Sequence, residues 1–263
     1  MRLVFFGDVH RDAPSHALAK WKEFLSYSKT LKNAWFIGMG DYIDSMSTSE
    51  REAMTRASMH ESTTSDLENM ASSKITLLAK ELDFMRGRLI GLVNGNHFFS
   101  FPSGINSDQK LCEKLGCKYL GVSSFIRITF EYSGRRETFD LWVHHGAGGA
   151  RLPGGSINRV DQMREFAEAD AFAMGHDHKR GVFPANPKLH LMSGASGLRL
   201  KEKQQWLLRT GSFLKAYEDG QISYNVDAAR GPASLGHVEL EFVYKHSGGK
   251  SSNRTELAVR GIA

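Results

Sequence analysis

The sequence predicts an α/β fold, and three observations support this. First, short apolar runs rich in β-branched and aromatic residues recur along the chain, as in the buried strands of α/β proteins. Second, segments with helical spacing of apolar residues separate several of these runs. Third, the chain has 263 residues, 41% of them hydrophobic, which is enough for a substantial core. The predicted strands are LVFFGD, AWFIGMGD, LIGLVNGNH, FDLWVHHG and AFAMGHDH.

Helices are predicted between and around these strands. Residues 16–32 space their apolar residues three and four apart, and residues 156–169 open with Ser156 as a candidate N-cap. Both are predicted to be amphipathic helices that cover a sheet. Residues 45–87 predict two helices, the first more exposed, as a helical insertion. This insertion is a candidate cap over a site, and a plain polar surface is the commoner alternative.

The C-terminal part, residues 200–263, predicts strands that complete a second sheet. Its candidate strands are separated by Gly, Pro and Ser, which favour turns. We find no internal repeat and no linker, so residues 1–263 are expected to form one domain. The candidate strands are SFLKAY, ISYNV, HVELEFVY and ELAVRGI.

Composition argues against several classes of protein. The apolar run before Gly7 is too short for a signal peptide, and no later run approaches membrane-spanning length, so we expect a soluble, cytoplasmic protein with no membrane association. Cys112 and Cys117 form a lone CxxxxC, which supports neither a zinc ribbon nor a disulfide framework. The net charge of +5 and the pI of about 9.1 suit a polyanionic substrate without indicating a nucleic-acid-binding tail. Nothing in the sequence indicates an oligomeric state.

Polar residues able to bind metal ions follow five of the predicted strands. Because the carboxyl ends of such strands meet at one crevice, these side chains are expected to converge. Aspartate, asparagine and histidine together can hold two divalent ions if one carboxylate bridges them. The segments are Asp8-Val9-His10, Gly40-Asp41, Gly95-Asn96-His97, His144-His145-Gly146 and Gly175-His176-Asp177-His178.

In these segments the chain resembles the calcineurin-like metallophosphoesterases. The motifs DxH, GD, GNH, H and GHxH occur in that order between residues 8 and 178, and five spaced elements in one order are hard to obtain by chance. The resemblance implies a four-layer α/β/β/α sandwich, in which helices flank two mixed β-sheets.

The resemblance also implies a role for each matching residue. His144 rather than His145 is assigned as a ligand because the family's histidine usually precedes a residue followed by Gly or Pro. His97 is expected to bind the phosphate and to protonate or stabilise the departing oxygen. The first ion would be held by Asp8, His10, Asp41 and His178. The second would be held by Asp41, Asn96, His144 and His176.

The implied reaction is hydrolysis of a phosphoester by a hydroxide that bridges the two ions. With nitrogen and oxygen ligands and no thiolate, Mn²⁺ is the first choice, and Zn²⁺, Fe and Ni²⁺ are chemically acceptable. Asp41, as the bridging ligand, and His97 are the residues expected to be essential for catalysis.

Two departures from the family pattern bear on the substrate. Phe98 follows the GNH motif where the family often has Glu or Asp, which leaves the orientation of His97 open. Ser45 stands where Ser/Thr protein phosphatases carry a phosphate-binding arginine, so capture of a dianionic monoester is disfavoured. We therefore expect a phosphodiesterase, with DNA or RNA as candidate substrates. The alternatives are a broad phosphomonoesterase and a non-catalytic binding module.

Other residues near these motifs have two interpretations each. The glycine-rich residues 146–156 are more consistent with a loop beside the site than with a phosphate-binding nest. His60, His145 and Asp177 are equally well explained as supports of the ligands and as ordinary structural residues.

Overall fold

The computed structural model describes residues 1–46, 48–56, 60–132, 134–194, 197–217, 231–232, 234–249 and 252–263. Its strands, in chain order, are β1 (Arg2–Phe6), β2 (Ala34–Gly38), β3 (Leu89–Leu92), β4 (Lys118–Tyr119), β5 (Ser123–Tyr132), β6 (Arg135–His144), β7 (Ala171–Met174), β8 (Arg180–Pro184), β9 (Lys188–Gly194), β10 (Gly197–Lys203), β11 (Trp206–Thr210), β12 (Val238–Gly249) and β13 (Ser252–Ile262). Its helices are α1 (Leu18–Thr30), α2 (Thr48–Arg56), α3 (Glu61–Leu82), α4 (Ser107–Leu115) and α5 (Pro153–Gln162), with short 3₁₀ turns at Asp83–Met85 and Met163–Glu165.

The strands of the described residues form two larger mixed sheets and one separate hairpin. The first sheet has the order β13-β12-β1-β2-β3-β4, and the second has the order β5-β6-β7-β11-β8. Within the first sheet β1 to β4 are parallel, and within the second β6, β7 and β11 are parallel. Strands β9 and β10 pair only with each other among the described strands.

The two sheets pack face to face, and helices cover their outer sides. Leu3 and Phe5 of β1 share an apolar core with Leu141 and Val143 of β6, and all four are fully buried. Helices α1, α3 and α4 pack on the other face of the first sheet, and α5 packs on the second sheet. The expected α/β/β/α sandwich is therefore confirmed.

The predicted helices are present, but both ends of the last one are wrong, because α5 spans Pro153–Gln162 and not residues 156–169. Helix α1 lies within residues 16–32, and α2 and α3 lie within residues 45–87. Residues 47 and 57–59 of that insertion lie outside the described residues. Helix α5 begins at Pro153, so Ser156 is a buried residue inside the helix and not its N-cap. Proline has a backbone angle suited to the first helical position and needs no hydrogen-bond acceptor there.

The C-terminal strands do not all complete the second sheet, which corrects the expectation for residues 200–263. Strand β11 joins the second sheet, whereas β12 and β13 extend the first sheet beyond β1. Strand β12 pairs antiparallel with β1, where Arg2 forms an ion pair with Glu239 at 3.2 Å, and its alternate apolar residues join the core between the sheets. SFLKAY forms only isolated bridges, and ISYNV lies outside the described residues.

None of the helices in the described ranges combines the length and the apolar character needed to cross a membrane.

Candidate metal centre

Five strands bring the predicted ligands to one edge of the two sheets. In the first sheet β1, β2 and β3 are parallel, and Asp8, Asp41 and Asn96 each follow the carboxyl end of one of them. In the second sheet β6 and β7 are also parallel, and His145 and His176 follow their ends. The side chains therefore meet in a crevice between the sheets, as expected for strand ends in α/β proteins.

The first group of ligand atoms comprises Asp8, His10 and His178. The Asp8 carboxylate is fully buried, and its Oδ1 atom lies 3.5 Å from Nε2 of His178. His10 is 2% exposed, and its ring lies edge-on to that of His178 with 5.5 Å between the ring centroids. The ligand atoms of these three side chains all lie within 4.8 Å of one another. Their oxygen and nitrogen donors suit one divalent ion.

The second group comprises Asp41, His145 and His176. The side-chain oxygen of Asn96 lies 2.9 Å from Nε2 of His145 and 2.7 Å from Nδ1 of His176. The Nε2 atom of His145 is also 3.3 Å from Oδ2 of Asp41. The side-chain oxygen of Asn96 is thus a fourth possible metal ligand in this group.

Asp41 connects the two groups. Its Oδ2 atom lies 3.8 Å from Nε2 of His10 in the first group and 3.3 Å from Nε2 of His145 in the second. Its Oδ1 atom accepts hydrogen bonds from the backbone amides of Asn96 and His97, at 2.7 and 2.8 Å. One oxygen is thus held by the GNH loop while the other faces both groups.

The GNH loop can approach Asp41 this closely because residue 95 is glycine. A Cβ atom at Gly95 would lie 2.1 Å from Oδ1 of Asp41, and one at Gly40 would lie 2.4 Å from Nδ1 of His145. Gly40 also has a φ of 99°, which favours glycine. The glycines of the GD and GNH motifs are therefore required by close packing around the site.

The structure groups His145, and not the expected His144, with the other candidate ligands. Leu141 and Val143 of β6 point into the core between the sheets, and His145 continues this alternation beyond the strand end. Trp142 packs with the helical layer on the opposite face, which is the face that alternation gives to His144. The Nδ1 atom of His144 accepts a hydrogen bond from the backbone amide of Gly146.

Backbone strain is concentrated in the candidate ligands. Among the described residues, positive φ angles outside glycine occur only at five candidate ligands. L-residues adopt this conformation rarely, and it persists where the surrounding structure fixes it, often at functional sites. The five residues and their φ angles are Asp8 (46°), His10 (43°), Asp41 (52°), His176 (74°) and His178 (60°).

Asp44 is a site residue that sequence reasoning missed. Its Oδ1 atom lies 3.1 Å from Nδ1 of His10 and 2.9 Å from Nδ1 of His97. Hydrogen bonds to His10 and His97 hold the pKa of Asp44 well below its usual range, so this carboxylate accepts from both rings. Asp44 thereby supplies the carboxylate that Phe98 does not. Its position in GDYID, three residues after Asp41, was the available signal.

Residues at the start of helix α4 bind the backbone of the GNH loop, a contact that the sequence did not indicate. The buried carboxylate of Asp108 accepts a hydrogen bond from the backbone amide of Gly95 at 2.9 Å. The hydroxyl of Ser107 accepts one from the amide of Phe99 at 3.1 Å. The first turn of α4 therefore fixes both ends of the segment that carries Asn96 and His97.

The candidate ligands differ in their protonation states. Burial lowers the pKa of His176 to about 4 and that of His178 to about 3, so both rings are neutral and offer a lone pair. Burial alone would raise the pKa of Asp41, but the charge and hydrogen bond of His145 bring it well below the usual range. Burial lowers the pKa of His145, but the charge of Asp41 raises it to about 10, and burial raises the pKa of Asp8 to about 7. These two ligands would therefore release a proton when a metal ion binds, as metal binding commonly requires.

One unsatisfied atom tests whether these residues fit a metal ion. The Nε2 atom of His10 is buried and has no hydrogen-bond partner among the described residues. Its Nδ1 atom is held by Asp44, which leaves Nε2 directed into the site, where its lone pair would bind an ion as in histidines that bind metals. The donors are nitrogen and oxygen only, so the set fits Mn²⁺, Zn²⁺, Fe or Ni²⁺.

Comparisons with known proteins give only weak likenesses. No family model matches the chain, and no curated protein matches it. Among solved structures, Vps29 from Entamoeba histolytica in complex with Zn²⁺ is 15% identical with a TM-score of 0.43, over 98% of this chain and 99% of that one. A predicted phosphoesterase from Streptococcus pneumoniae is 10% identical with a TM-score of 0.34, over 98% and 97%. A metallophosphoesterase from Sphaerobacter thermophilus is 14% identical with a TM-score of 0.35, over 84% and 80%.

These identities and TM-scores are too low to support either a fold or a function. The order of the motifs is observed in this sequence, and their convergence between two sheets is observed in this structure. Neither observation depends on the comparisons. In the order of these motifs the chain resembles the calcineurin-like metallophosphoesterases.

Proposed function

We propose that the protein is a calcineurin-like metallophosphoesterase that binds two divalent ions, with Mn²⁺ as the first choice, and hydrolyses phosphodiesters. The observation that carries this proposal is the position of Asp41 between two groups of histidines and carboxylates. A shared carboxylate is what a two-metal site needs in order to hold its ions close together.

The side chains around Asp41 support distinct roles in such a reaction. Two divalent ions in this site would offset charge on the phosphoryl oxygens and lower the pKa of a coordinated water. The side chain of His97 is 28% exposed, and its Nδ1 atom contacts Asp44 at 2.9 Å. Its Nε2 atom therefore remains to donate a hydrogen bond to the phosphate and a proton to the departing oxygen.

The serine at position 45 favours a diester substrate. Ser45 replaces the arginine that would form a bidentate clamp on a dianionic monoester. The net charge of +5 favours a polyanionic substrate, so DNA or RNA strands are the first candidates among diesters.

An activity panel with Mn²⁺ tests this function directly. It compares single- and double-stranded DNA, RNA, cyclic nucleotides, bis-(p-nitrophenyl) phosphate and p-nitrophenyl phosphate, with Asp41→Asn and His97→Ala as controls. We expect diester cleavage that both variants lose. Turnover that survives in purified Asp41→Asn would show that the reaction does not need Asp41 and would contradict the proposal.

One observation favours a phosphomonoesterase as the second candidate. The guanidinium of Arg51 in α2 donates to the backbone carbonyl of Asn96 at 2.7 Å and stacks on the Phe98 ring at 3.7 Å. A guanidinium therefore stands beside the candidate site although position 45 is serine. A preference for p-nitrophenyl phosphate over the bis ester, lost in Arg51→Met, would establish this alternative. Binding of substrate without any turnover would instead indicate a binding module.

A further inference from the structure

A single buried arginine holds the loop that carries one candidate ligand of each metal group. Arg209 of β11 lies directly beside Met174 in the register of the parallel strands β11 and β7. The loop after β7 contains His176 of the second group and His178 of the first. The guanidinium of Arg209 is therefore close to both ligands without belonging to either group.

Each nitrogen of the Arg209 side chain has a different partner. Nε donates to the backbone carbonyl of Ser156 at 3.0 Å, and Nη1 donates to that of Gly175 at 2.9 Å. Nη2 forms an ion pair with the Asp177 carboxylate at 2.9 Å, and the Ser156 hydroxyl donates to the same carboxylate oxygen. The Arg209 and Asp177 side chains are 3% and 2% exposed.

We propose that Arg209 and Asp177 are a positioning pair that fixes His176 and His178 for metal binding. This inference rests on the proposed function, since it assumes that these histidines bind ions. Asp177 lies between them, and both histidines have positive φ angles, 74° and 60°. Such a backbone persists only where its surroundings fix it. A buried ion pair rarely adds net stability over well-packed apolar residues, but it can specify one geometry.

The test is metal binding by two variants and a matched control. Arg209→Lys keeps the charge but cannot reach three partners, and Asp177→Asn removes the ion pair alone. Arg164→Lys is the control, because Arg164 makes the same kind of contacts away from the site. Its Nε, Nη1 and Nη2 atoms donate to Gln205, Asp161 and the carbonyl of Asn186, at 2.8, 2.7 and 2.7 Å.

The readouts are Mn²⁺ affinity by calorimetry and the visible absorption spectrum of the Co²⁺-loaded protein. Circular dichroism identifies any variant that fails to fold, in which case the other carries the test. We expect Arg209→Lys and Asp177→Asn to weaken Mn²⁺ binding at both sites by about 10–100-fold, a typical loss when the support of a ligand is removed, and to alter the Co²⁺ spectrum. Arg164→Lys should leave both unchanged.

Two results would overturn the inference, and they have different consequences for the proposed function. If the wild type binds Mn²⁺ and the folded variants bind it equally well with an unaltered Co²⁺ spectrum, the positioning role is wrong and the proposed function stands. If the wild type binds neither Mn²⁺ nor Co²⁺, the proposed function fails and the inference fails with it.

Discussion

At the scale of single residues, one carboxylate oxygen of Asp44 serves two histidines of different kinds. It accepts from Nδ1 of His10, a candidate ligand, and from Nδ1 of His97, the candidate proton donor. The two rings lie edge to face with 5.0 Å between their centroids. Asp44 therefore orients both rings, so that each directs its Nε2 atom away from Asp44.

Removing His97 should slow turnover strongly and leave metal binding intact. His97→Ala is expected to lower the rate with bis-(p-nitrophenyl) phosphate by about 10²–10⁴-fold, the usual contribution of a positioned proton donor. The rate of Asp44→Asn should lie between that of His97→Ala and that of the wild type, because an amide oxygen still accepts one hydrogen bond. Initial rates and bound Mn²⁺ are measured on the same samples. Loss of Mn²⁺ from His97→Ala would show that our division of roles is wrong.

Asp108 gives the stability of the protein a specific pH dependence. Burial, and then the charge of Asp41, raise its pKa from 3.8 to about 7. The unfolded chain loses this proton first, so the free energy of unfolding falls as pH rises from about 4 to about 7. Asp108→Asn has no proton to lose, and its stability relative to the wild type should grow over that range by up to about 4 kcal/mol.

Urea unfolding at a series of pH values in the presence of EDTA measures this difference. Asp66→Asn is the control, because Asp66 lies exposed on α3. Equal pH slopes in wild type and Asp108→Asn would show that Asp108 is ionised in the folded protein throughout.

At the scale of elements, the alternation along β6 decides which of two adjacent histidines enters the site. His145→Ala should lose the second ion, whereas His144→Ala should keep both, because His144 lies on the opposite face of the strand. The measurement is Mn²⁺ per chain by elemental analysis after dialysis. Loss of an ion from His144→Ala with both ions retained in His145→Ala would reverse the assignment.

The sequence was sufficient to predict elements whose signals are local. The strand ends with their ligands, and the helices within residues 16–32 and 45–87, follow from apolar periodicity and punctuation by Gly, Asp and His. The start of α5 is also predictable, because Pro153 indicates a first helical position, although the sequence interpretation took Ser156 as the N-cap.

What could not be predicted depends on contacts between distant segments. His144 and His145 are chemically identical, and only the face of β6 on which each side chain lies distinguishes them. The roles of Asp44 and Arg209 require neighbours that the fold supplies. The pairing of β12 with β1 joins residues from opposite ends of the chain, which local patterns do not specify.

At the scale of the whole molecule, both candidate metal groups span the two sheets. In the first group Asp8 and His10 follow a strand of the first sheet, and His178 follows a strand of the second. In the second group Asp41 belongs to the first sheet, and His145 and His176 belong to the second. Metal binding would therefore join the sheets and stabilise the folded chain as a unit.

We accordingly expect Mn²⁺ to raise the melting temperature. Free Mn²⁺ at about 100 times its Kd adds about 2.7 kcal/mol per site, which corresponds to about 5–10 °C for a chain of this size. Differential scanning calorimetry with and without Mn²⁺ measures the shift, and excess EDTA should reverse it. A melting temperature that is unchanged by saturating Mn²⁺ would mean that the ions do not bridge the sheets.

The most direct test of the central claim, that Asp41 is shared by two ions, is anomalous scattering from crystals soaked in Mn²⁺. The expected map shows two peaks per chain, each in contact with the Asp41 carboxylate, and neither peak in Asp41→Asn. A single peak, two peaks that do not share Asp41, or two peaks retained in Asp41→Asn would contradict the account.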